Sequence, residues 1–247
     1  MNQPLKNKVA LVTGGSRSLG ACIAKRLAAD GAAVALTYSA APTKADEIVR
    51  AIEAAGGRAL AIRADAADPA QVRASVAQTV AAFGGIDILV NNAGVLAIAP
   101  IETFALEDFD KMIAVNVRGV FVATQEAARH MREGGRIIHI GSCNSDRTPF
   151  AGASVYTLTK GAIAAFTKGL ARDLGPRGIT VNNIQPGPTD TDMNPDKGDF
   201  AALNRSFMAI PRYAQPEEIA SMVAFVASPA ASFITGASLL VDGGYTA

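Results

Sequence analysis

The sequence is poor in the residues that build metal centres and disulfides. It has no tryptophan, two cysteines and two histidines among its 247 residues. Cys22 and Cys143 lie far apart and neither belongs to a C-x-x-C pattern, so we expect no disulfide, no metal site and a reducing compartment. His139 lies inside a strand-like apolar run, where a structural role is more frequent than a catalytic one.

An excess of charge of one sign is also missing. The chain has 23 basic and 22 acidic residues, a net charge of +1, and no basic run of five or more. This balance creates no field that attracts nucleic acid or an anionic membrane. The first residues, MNQPLKNK, contain no apolar segment of a secretory signal, so we expect a cytoplasmic protein without a nucleic-acid partner.

Long uncharged stretches are rare, and one of them is long enough to cross a bilayer. Residues 219–241 carry no charge, but Pro229, Gly236 and several hydroxyl side chains interrupt them. A helix, a loop and a buried strand explain this composition better than a membrane span does.

Short apolar runs alternate with longer segments of helical periodicity. The predicted strands are residues 9–12, 33–37, 59–64, 86–90, 137–140, 180–184 and 238–241. They are apolar throughout, as is typical of parallel strands covered on both faces. A helix is predicted over 43–55, ending at Gly56-Gly57, and another from Asp68-Pro69 to Gly84-Gly85. Because no linker divides the chain, the pattern predicts one α/β domain over residues 1–247. Its doubly wound parallel sheet has about seven strands, with helices on both faces.

The segment TGGSRSLG, residues 13–20, follows the first predicted strand and precedes a helical pattern. Gly14 permits a tight turn, Gly20 permits close packing of helix and sheet, and the N–H groups of the helix start favour an anion. Ser18 stands where a smaller residue is more usual, and we predict that its hydroxyl bonds a pyrophosphate or a water on it. Alone the loop is weak evidence, because turns without a ligand have similar sequences.

The end of the second strand carries no carboxylate for the ribose 2′-hydroxyl of NAD, and none occurs before Asp46. The side chains available there are hydroxyls and bases: Thr37, Tyr38, Ser39, Lys44 and, from the glycine loop, Arg17. Hydroxyl donors and a guanidinium suit a 2′-phosphate, so NADP(H) is favoured over NAD(H). The alternative is that Arg17 and Lys44 are solvated surface charges.

A second group of polar residues follows the strand that ends near residue 140. Ser142 lies at its carboxyl end, and Tyr156 and Lys160 share a helix face four residues apart. Tyrosine has an ordinary pKa of about 10, which a neighbouring ammonium lowers. A serine hydroxyl can bond a carbonyl or alkoxide oxygen. The set suits hydride transfer at a carbonyl, although Y-x-x-x-K alone occurs often by chance.

These motifs together resemble the short-chain dehydrogenase/reductase family over almost the whole chain. The matching pieces are TGGSRSLG at 13–20, NNAG at 91–94, Asn116 in AVNVRGVF, Ser142, YTLTK at 156–160 and PGPTDT at 186–191. The resemblance implies a single-domain Rossmann fold, similar to acyl-carrier-protein ketoreductases and to small-ketone or sugar reductases. It also implies self-association as a homotetramer or homodimer, through the helices around Asn116 and Tyr156 and the C-terminal strand.

The resemblance further implies catalytic roles residue by residue. Tyr156 would be the general acid in reduction and the base in oxidation. Lys160 would bind the nicotinamide ribose and lower the pKa of Tyr156. Ser142 would orient the substrate oxygen, and Asn116 would hold a water that links Lys160 to solvent.

Contacts to the cofactor are implied along the same motifs. The glycine loop would face the phosphates, the end of the second strand the 2′-phosphate, residues 65–66 the adenine, NAG the ribose, and PGPTDT the nicotinamide. These residues are Gly14, Ser16, Arg17, Ser18, Leu19, Gly20, Tyr38, Ser39, Asp65, Ala66, Asn92, Ala93, Gly94, Tyr156, Lys160, Pro186, Gly187, Thr189 and Thr191. Thr189 stands where the family usually has an aliphatic residue.

The sequence thus favours an NADP(H)-dependent carbonyl reductase or alcohol dehydrogenase acting on a small molecule. The alternative is a non-enzymatic nucleotide-binding regulator on the same fold. We expect residues 143–150, 96–100 and 188–212 to form the substrate pocket, with Cys143 as lining. The proline-rich segment 186–211 is predicted to be an irregular, mobile lid.

Overall fold

Seven parallel strands form a single sheet in the computed structural model, which describes residues 3–247. The order across the sheet is β3-β2-β1-β4-β5-β6-β7, and every neighbouring pair is parallel. The strands are β1 Val9–Val12, β2 Ala33–Tyr38, β3 Arg58–Arg63, β4 Ile88–Asn91, β5 Arg136–Ile140, β6 Thr180–Pro186 and β7 Ser238–Val241. The predicted fold class is confirmed, and the strand boundaries differ from prediction by two residues at most.

Helices cover both faces of this sheet. They are α1 Ser18–Ala29, α2 Pro42–Ala54, α3 Pro69–Phe83, α4 Leu106–Ile113, α5 Val120–His130, α6 Ser154–Leu174, α7 Gly198–Ser206 and α8 Pro216–Ala227. A π-helical turn, Ala114–Gly119, joins α4 to α5. One core layer packs α1, α2 and α8 on the sheet, and the other packs α3, α5 and α6.

Strand β1 shows why the strands are apolar at every position. Ala10 and Val12 contribute to the layer under α1 and α8, whereas Leu11 contributes to the layer under α3 and α5. Successive side chains of a strand point to opposite faces, so a sheet covered on both sides needs apolar residues without alternation. All three side chains are fully buried.

Local signals fix the ends of α3 as predicted. The Asp68 carboxylate accepts hydrogen bonds from the backbone N–H groups of Ala70 and Gln71, at 2.8 and 3.3 Å. Pro69 occupies the first turn, where its missing N–H costs nothing. Gly84 ends the helix in the left-handed conformation with φ of 83°.

The uncharged stretch 219–241 forms most of α8, a short turn and β7. No helix within residues 3–247 is long and apolar enough to cross a bilayer. The predicted burial of the last strand is wrong, because β7 lies at the sheet edge and Leu240 is 44% exposed. An edge strand has a neighbour on one side only.

The predicted irregular segment 186–211 contains helix α7, which corrects the sequence expectation. Its prolines are Pro186, Pro188, Pro195 and Pro211, and residues 198–206 between the last two are proline-free and include good helix formers. Ala201 and Asn204 of this helix are buried, so α7 is packed onto the body of the protein.

Candidate active site

A cleft of about 890 Å³ opens at the carboxyl ends of the central strands. It lies where the chain order reverses between β1 and β4, which is the usual ligand position in an open parallel sheet. Its volume falls within the range of about 300–1,000 Å³ typical of small-molecule sites. The cleft is therefore the candidate active site.

Every catalytic and cofactor-binding residue that the family resemblance implies lines this cleft except Asn116. The lining includes Gly14, Ser16, Arg17, Ser18, Leu19, Gly20, Tyr38, Ser39, Asp65, Ala66, Asn92, Ala93, Gly94, Ser142, Tyr156, Lys160, Pro186, Gly187, Thr189 and Thr191. The fold thus brings together motifs that are up to 177 residues apart along the chain, from Gly14 to Thr191. The individual roles of these residues stay predictions.

The glycine loop is held by hydrogen bonds from two neighbouring strands. Gly14 has φ of +64°, and a Cβ on Gly20 would lie 2.2 Å from the Gly14 carbonyl oxygen. The backbone N–H of Gly14 donates to the Thr37 hydroxyl at 2.9 Å, and the Asn92 amide donates to the Gly14 carbonyl at 3.1 Å. The Thr37 hydroxyl therefore supports the loop as an acceptor, and its proton stays free to bond an oxygen in the cleft.

The Ser18 hydroxyl makes a contact that the sequence does not indicate, and its predicted bond to a pyrophosphate or a water stays a prediction. The φ of Ser18, +45°, lies in the left-handed region. Its Oγ accepts a hydrogen bond of 3.1 Å from the backbone N–H of Asp192, in the segment that follows β6. The hydroxyl therefore joins the glycine loop to the segment over the cleft, a long-range contact without a sequence signal.

The two basic groups proposed for a 2′-phosphate differ in position. Arg17 lines the cleft, as Tyr38 and Ser39 do, and its Nη1 lies 3.8 Å from a carboxylate oxygen of Asp192. Both side chains of this ion pair are more than half exposed, so water screens it strongly. Lys44 is exposed on α2 and does not line the cleft, which favours the solvated-charge alternative for Lys44 alone.

Tyr156 and Lys160 lie one turn apart on α6, with the Lys160 Nζ 5.7 Å from the centroid of the Tyr156 ring. The ammonium donates a 2.8 Å hydrogen bond to the carbonyl of Ile140, at the end of β5. Burial lowers the pKa of Lys160 to about 8. The hydrogen bond to Ile140 anchors the Lys160 side chain between α6 and the sheet.

The pKa of Tyr156 moves opposite to the sequence expectation. Burial raises the pKa of the phenol to about 12, and the opposing effect of hydrogen bonding with Ser142 is smaller. Desolvation disfavours the phenolate more than the hydrogen bond with Ser142 stabilises it. The phenol is consequently protonated at neutral pH, as a proton donor requires.

Ser142 begins the short turn Cys143–Ser145 at the end of β5. Its Oγ accepts the backbone N–H of Asn144 at 3.2 Å, which leaves its proton free to bond an oxygen in the cleft. The Cys143 side chain is buried, and burial raises the pKa of its thiol to about 12. Cys143 is thus an unreactive lining residue, as predicted.

Asn116 lies outside the cleft lining, in the π-helical turn between α4 and α5. Its amide oxygen accepts from the Val95 N–H and its nitrogen donates to the Val95 carbonyl, both at 2.9 Å. The same nitrogen donates to the Thr159 hydroxyl at 3.2 Å. Asn116 thereby holds the loop after β4 against α6, directly before Lys160. Its predicted hold on a water stays a prediction.

His139 has the structural role that the sequence favours. It is fully buried, and its Nδ1 lies 3.1 Å from the amide nitrogen of Asn91. Burial lowers its pKa to about 3, so the imidazole stays neutral. Its ring packs on Phe166, 6.1 Å between centroids, and it does not line the cleft.

The substrate end of the cleft agrees only partly with prediction. Leu96, Ile98 and Asn144 line it, and Phe150 meets Phe200 of α7 edge-to-face at 5.3 Å. By contrast, Asp146, Arg147, Phe207 and Met208 do not line it. The Arg147 guanidinium donates to the Tyr245 carbonyl at 2.8 Å instead, so it braces the C-terminal segment.

Sequence reasoning missed a buried network under α7. The Asn204 amide donates to the Tyr213 hydroxyl at 3.0 Å and accepts from the Tyr245 hydroxyl at 2.9 Å. All three side chains are buried, and Asn204 and Tyr245 reach the cleft. The contacts join residues up to 41 positions apart, so no local sequence pattern predicts them.

The doubly wound sheet, the glycine loop at its switch point and the Ser, Tyr and Lys side chains at the same edge define a dinucleotide-dependent oxidoreductase fold. The chain belongs to the short-chain dehydrogenase/reductase family. A family model described as enoyl-(acyl carrier protein) reductase matches residues 14–246.

Similar proteins extend over nearly the whole chain. The chain is 44% identical over 240 residues to the cyclic-di-GMP-binding biofilm dispersal mediator protein of Escherichia coli, covering 97% of this chain and 98% of that protein. A short-chain dehydrogenase/reductase from Serratia marcescens is 59% identical with a TM-score of 0.98, covering 99% of this chain and 100% of the other. A short-chain dehydrogenase from Burkholderia cenocepacia, solved in complex with NADP, is 54% identical with a TM-score of 0.97 and the same coverage.

Proposed function

We propose that this protein is an NADP(H)-dependent carbonyl reductase or alcohol dehydrogenase acting on a small-molecule ketone or alcohol. One observation carries the proposal. A protonated tyrosine, a buried lysine and a serine hydroxyl share one cleft with a glycine loop shaped for a pyrophosphate. A protein that only binds a nucleotide has no use for this set of proton-transferring groups.

The residues of the cleft fit a dinucleotide. The approach of Gly20 to the Gly14 carbonyl leaves no room for a Cβ, so the start of α1 lies close against the loop. The N–H groups of that helix start favour an anion. Arg17, Ser39 and the absence of a carboxylate on β2 favour a 2′-phosphate over a free hydroxyl, and the Burkholderia structure contains NADP.

The reaction follows from the side chains at the nicotinamide end. The cofactor, when bound, supplies or accepts a hydride. Ser142 donates a hydrogen bond to the substrate oxygen and orients it. Tyr156 Oη donates its proton to that oxygen in reduction and takes it back in oxidation. Lys160 binds the ribose hydroxyls, and Asn116 fixes the backbone beside it.

A regulator without catalytic activity is the second candidate. The Escherichia coli relative is named for binding cyclic di-GMP, a nucleotide whose phosphates suit the same helix start. Titration with cyclic di-GMP, with and without saturating NADPH, separates the two. Tight binding of cyclic di-GMP together with no NADPH oxidation across a broad carbonyl panel would favour the regulator.

We also propose a homotetramer, with a homodimer as the smaller alternative. Phe121 of α5 and Leu158 of α6 are about half exposed, and Phe233 beside β7 is fully exposed. Exposed apolar side chains on two separate faces favour two kinds of subunit contact. Native mass spectrometry tests it, and a monomer at micromolar concentration would contradict it. The cytoplasmic location stays a prediction.

The decisive experiment compares the parent with Tyr156→Phe. General acid–base groups contribute roughly 10²–10⁴-fold, so we expect turnover with NADPH to fall by that factor. NADPH affinity, measured by fluorescence, should stay within about threefold, because Tyr156 acts on the substrate oxygen. Unchanged turnover would refute the role of Tyr156. NADH in place of NADPH is the control for cofactor choice.

A further inference from the structure

Two buried amides lie beneath the segment that carries Ser142. Asn183 and Gln185 are two residues apart on β6 and therefore point to the same face of the sheet. Both are fully buried. One lies under Gly141 and the other bonds Ser145, so together they flank Ser142 on both sides.

Gln185 reaches Ser142 through a relay of hydrogen bonds. The Gln185 amide nitrogen donates to the Ser145 hydroxyl at 2.5 Å. That hydroxyl donates to the Ser142 carbonyl at 2.7 Å, and the Ser145 N–H donates to the same oxygen at 3.1 Å. Because the single Ser145 proton points to Ser142, Gln185 has to present a donor rather than an acceptor.

Asn183 acts on the other side of Ser142 by contact. A Cβ on Gly141 would lie 2.3 Å from the Asn183 amide oxygen, so the backbone before Ser142 rests directly on this side chain. The Asn183 nitrogen donates to the Ser238 hydroxyl of β7 at 3.1 Å. The amide is thus fixed from the sheet edge and limits where Gly141 can lie.

Burying the two amides of Asn183 and Gln185 costs free energy, which argues that they serve to orient Ser142. The amide oxygens of Asn183 and Gln185 are buried and lack a hydrogen-bond partner among the described residues. A buried polar atom without a partner is unfavourable, and apolar side chains of similar size would avoid the penalty. What apolar residues could not do is hold the Ser142 backbone in one direction.

We propose that Gln185, acting through Ser145, and Asn183 are positioning residues that aim the Ser142 hydroxyl at the substrate oxygen. The inference rests on the proposed reductase function. Since Gln185 precedes Pro186 and Gly187, which line the cleft, it also joins the turn predicted to contact the nicotinamide to the turn that carries Ser142.

The test uses Gln185→Met, which keeps length and removes the donor. We expect kcat to fall roughly 10-fold, below the 100-fold that a misplacement of about 1 Å can cost. NADPH affinity should stay within about twofold. Asn182→Ala is the matched control, because Asn182 is a buried amide of the same strand that bonds Ile234 and Ala237 instead. It should lower stability and leave kcat within about twofold.

A double-mutant cycle separates positioning from general weakening of the fold. In a Ser142→Ala background, Gln185→Met should cause no further loss of kcat, since its effect passes through Ser142. Ser145→Ala should reproduce the effect of Gln185→Met without adding to it. An equal loss in both backgrounds, or parental kcat in Gln185→Met, would overturn the inference.

A failure of the proposed reductase function would give a different result from a failure of the positioning inference. In that case the parent itself would turn over no carbonyl compound, and Tyr156→Phe would change nothing. A crystal structure of Gln185→Met then decides the positioning separately. Displacement of the Ser142 Oγ supports it, and a parental position of that atom overturns it.

Discussion

The Ser18 hydroxyl accepts a hydrogen bond of 3.1 Å from the backbone N–H of Asp192, across 174 positions of the chain. This contact connects the loop that is shaped for a pyrophosphate with the segment that covers the cleft. A cofactor lying in the loop would thus touch a residue that already holds the covering segment in place.

Replacement of Ser18 separates backbone strain from the hydrogen bond. Ser18→Gly relieves the φ of +45°, whereas Ser18→Ala keeps it, and both lose the bond to Asp192. A left-handed residue costs about 1–2 kcal/mol unless it is glycine. We expect Ser18→Gly to unfold about 2–4 °C above Ser18→Ala in calorimetry, as about 1 kcal/mol gives in a chain of this size.

The same pair of variants tests what the Ser18 hydroxyl bonds. Because it faces Asp192, we expect both variants to bind NADPH within about threefold of the parent. A loss of tenfold or more in both would instead support the hydroxyl–pyrophosphate contact expected from the sequence.

We expect Arg17 to set the preference for NADP(H) over NAD(H). Charged hydrogen bonds contribute about 1.5–3 kcal/mol, so Arg17→Gln should weaken NADPH binding roughly 10- to 100-fold and leave NADH within about twofold. Isothermal titration with both cofactors measures this. An equal loss for NADH and NADPH would place Arg17 away from the 2′-phosphate.

Asp192→Asn is the matched control for Arg17. It removes the carboxylate 3.8 Å from the guanidinium but keeps the backbone N–H that binds Ser18. Exposed ion pairs contribute about 0–1 kcal/mol, so NADPH binding should strengthen by less than about fivefold. This expectation assumes that the Asp192 carboxylate competes with the 2′-phosphate of NADPH for the Arg17 guanidinium. Weaker NADPH binding in Asp192→Asn would contradict that competition.

Lys160 makes stability depend on pH. Its pKa is lowered to about 8 in the folded protein and is about 10.4 in an unfolded chain. Between these values the unfolded chain binds more protons, so this contribution to the free energy of unfolding rises with pH. Relative to Lys160→Met, the parent should gain roughly 2 kcal/mol between pH 7 and pH 10 in urea unfolding.

The comparison with Lys160→Met removes other titrations from this result. The raised pKa values of Cys22, about 11, and Tyr156, about 12, act in the opposite sense, because the folded state then holds the extra proton. The contribution of Cys22 is common to both proteins and cancels in the difference, and that of Tyr156 lies mostly above pH 10. A difference that is flat between pH 7 and pH 10 would show that Lys160 is not desolvated.

Gly20 is required where α1 meets the glycine loop. In Gly20→Ala the new Cβ would lie 2.2 Å from a backbone oxygen, which a shift of the helix has to relieve. We expect a destabilisation of about 1–3 kcal/mol and loss of NADPH binding. Gly169→Ala, also in a helix but with open space around its Cβ, should stabilise by about 0.5–1 kcal/mol. Equal stabilities of Gly20→Ala and Gly169→Ala would argue against the close contact between Gly20 and the Gly14 carbonyl.

Local patterns predict much of this fold. Apolar runs without alternation identify buried parallel strands, and Asp68-Pro69 with Gly84 marks the ends of α3, because these signals act within a few residues. The burial of β7 is mispredicted, since composition alone does not tell an edge strand from a central one. The helix α7 is missed because the prolines that make segment 186–211 look irregular flank the helix and do not lie within it.

The candidate site likewise has some features that the sequence predicts and others that it does not. The sequence by itself determined which groups are present: the glycine loop, the β2 end without a carboxylate, Ser142, and the Tyr156–Lys160 spacing along a helix. Each is a local feature, set by residue type and a few neighbours. Their assembly at one edge follows from parallel strands, whose carboxyl ends meet on the same side of a sheet.

Only the tertiary structure decided the environment of those groups. Burial raises the pKa of Tyr156 where the spacing to Lys160 suggests the reverse, the Ser18 hydroxyl faces Asp192, and Gln185 supports Ser142 through Ser145. Desolvation and long-range hydrogen bonds depend on atoms from distant parts of the chain. Their positions are fixed by packing, and no periodicity in the sequence encodes them.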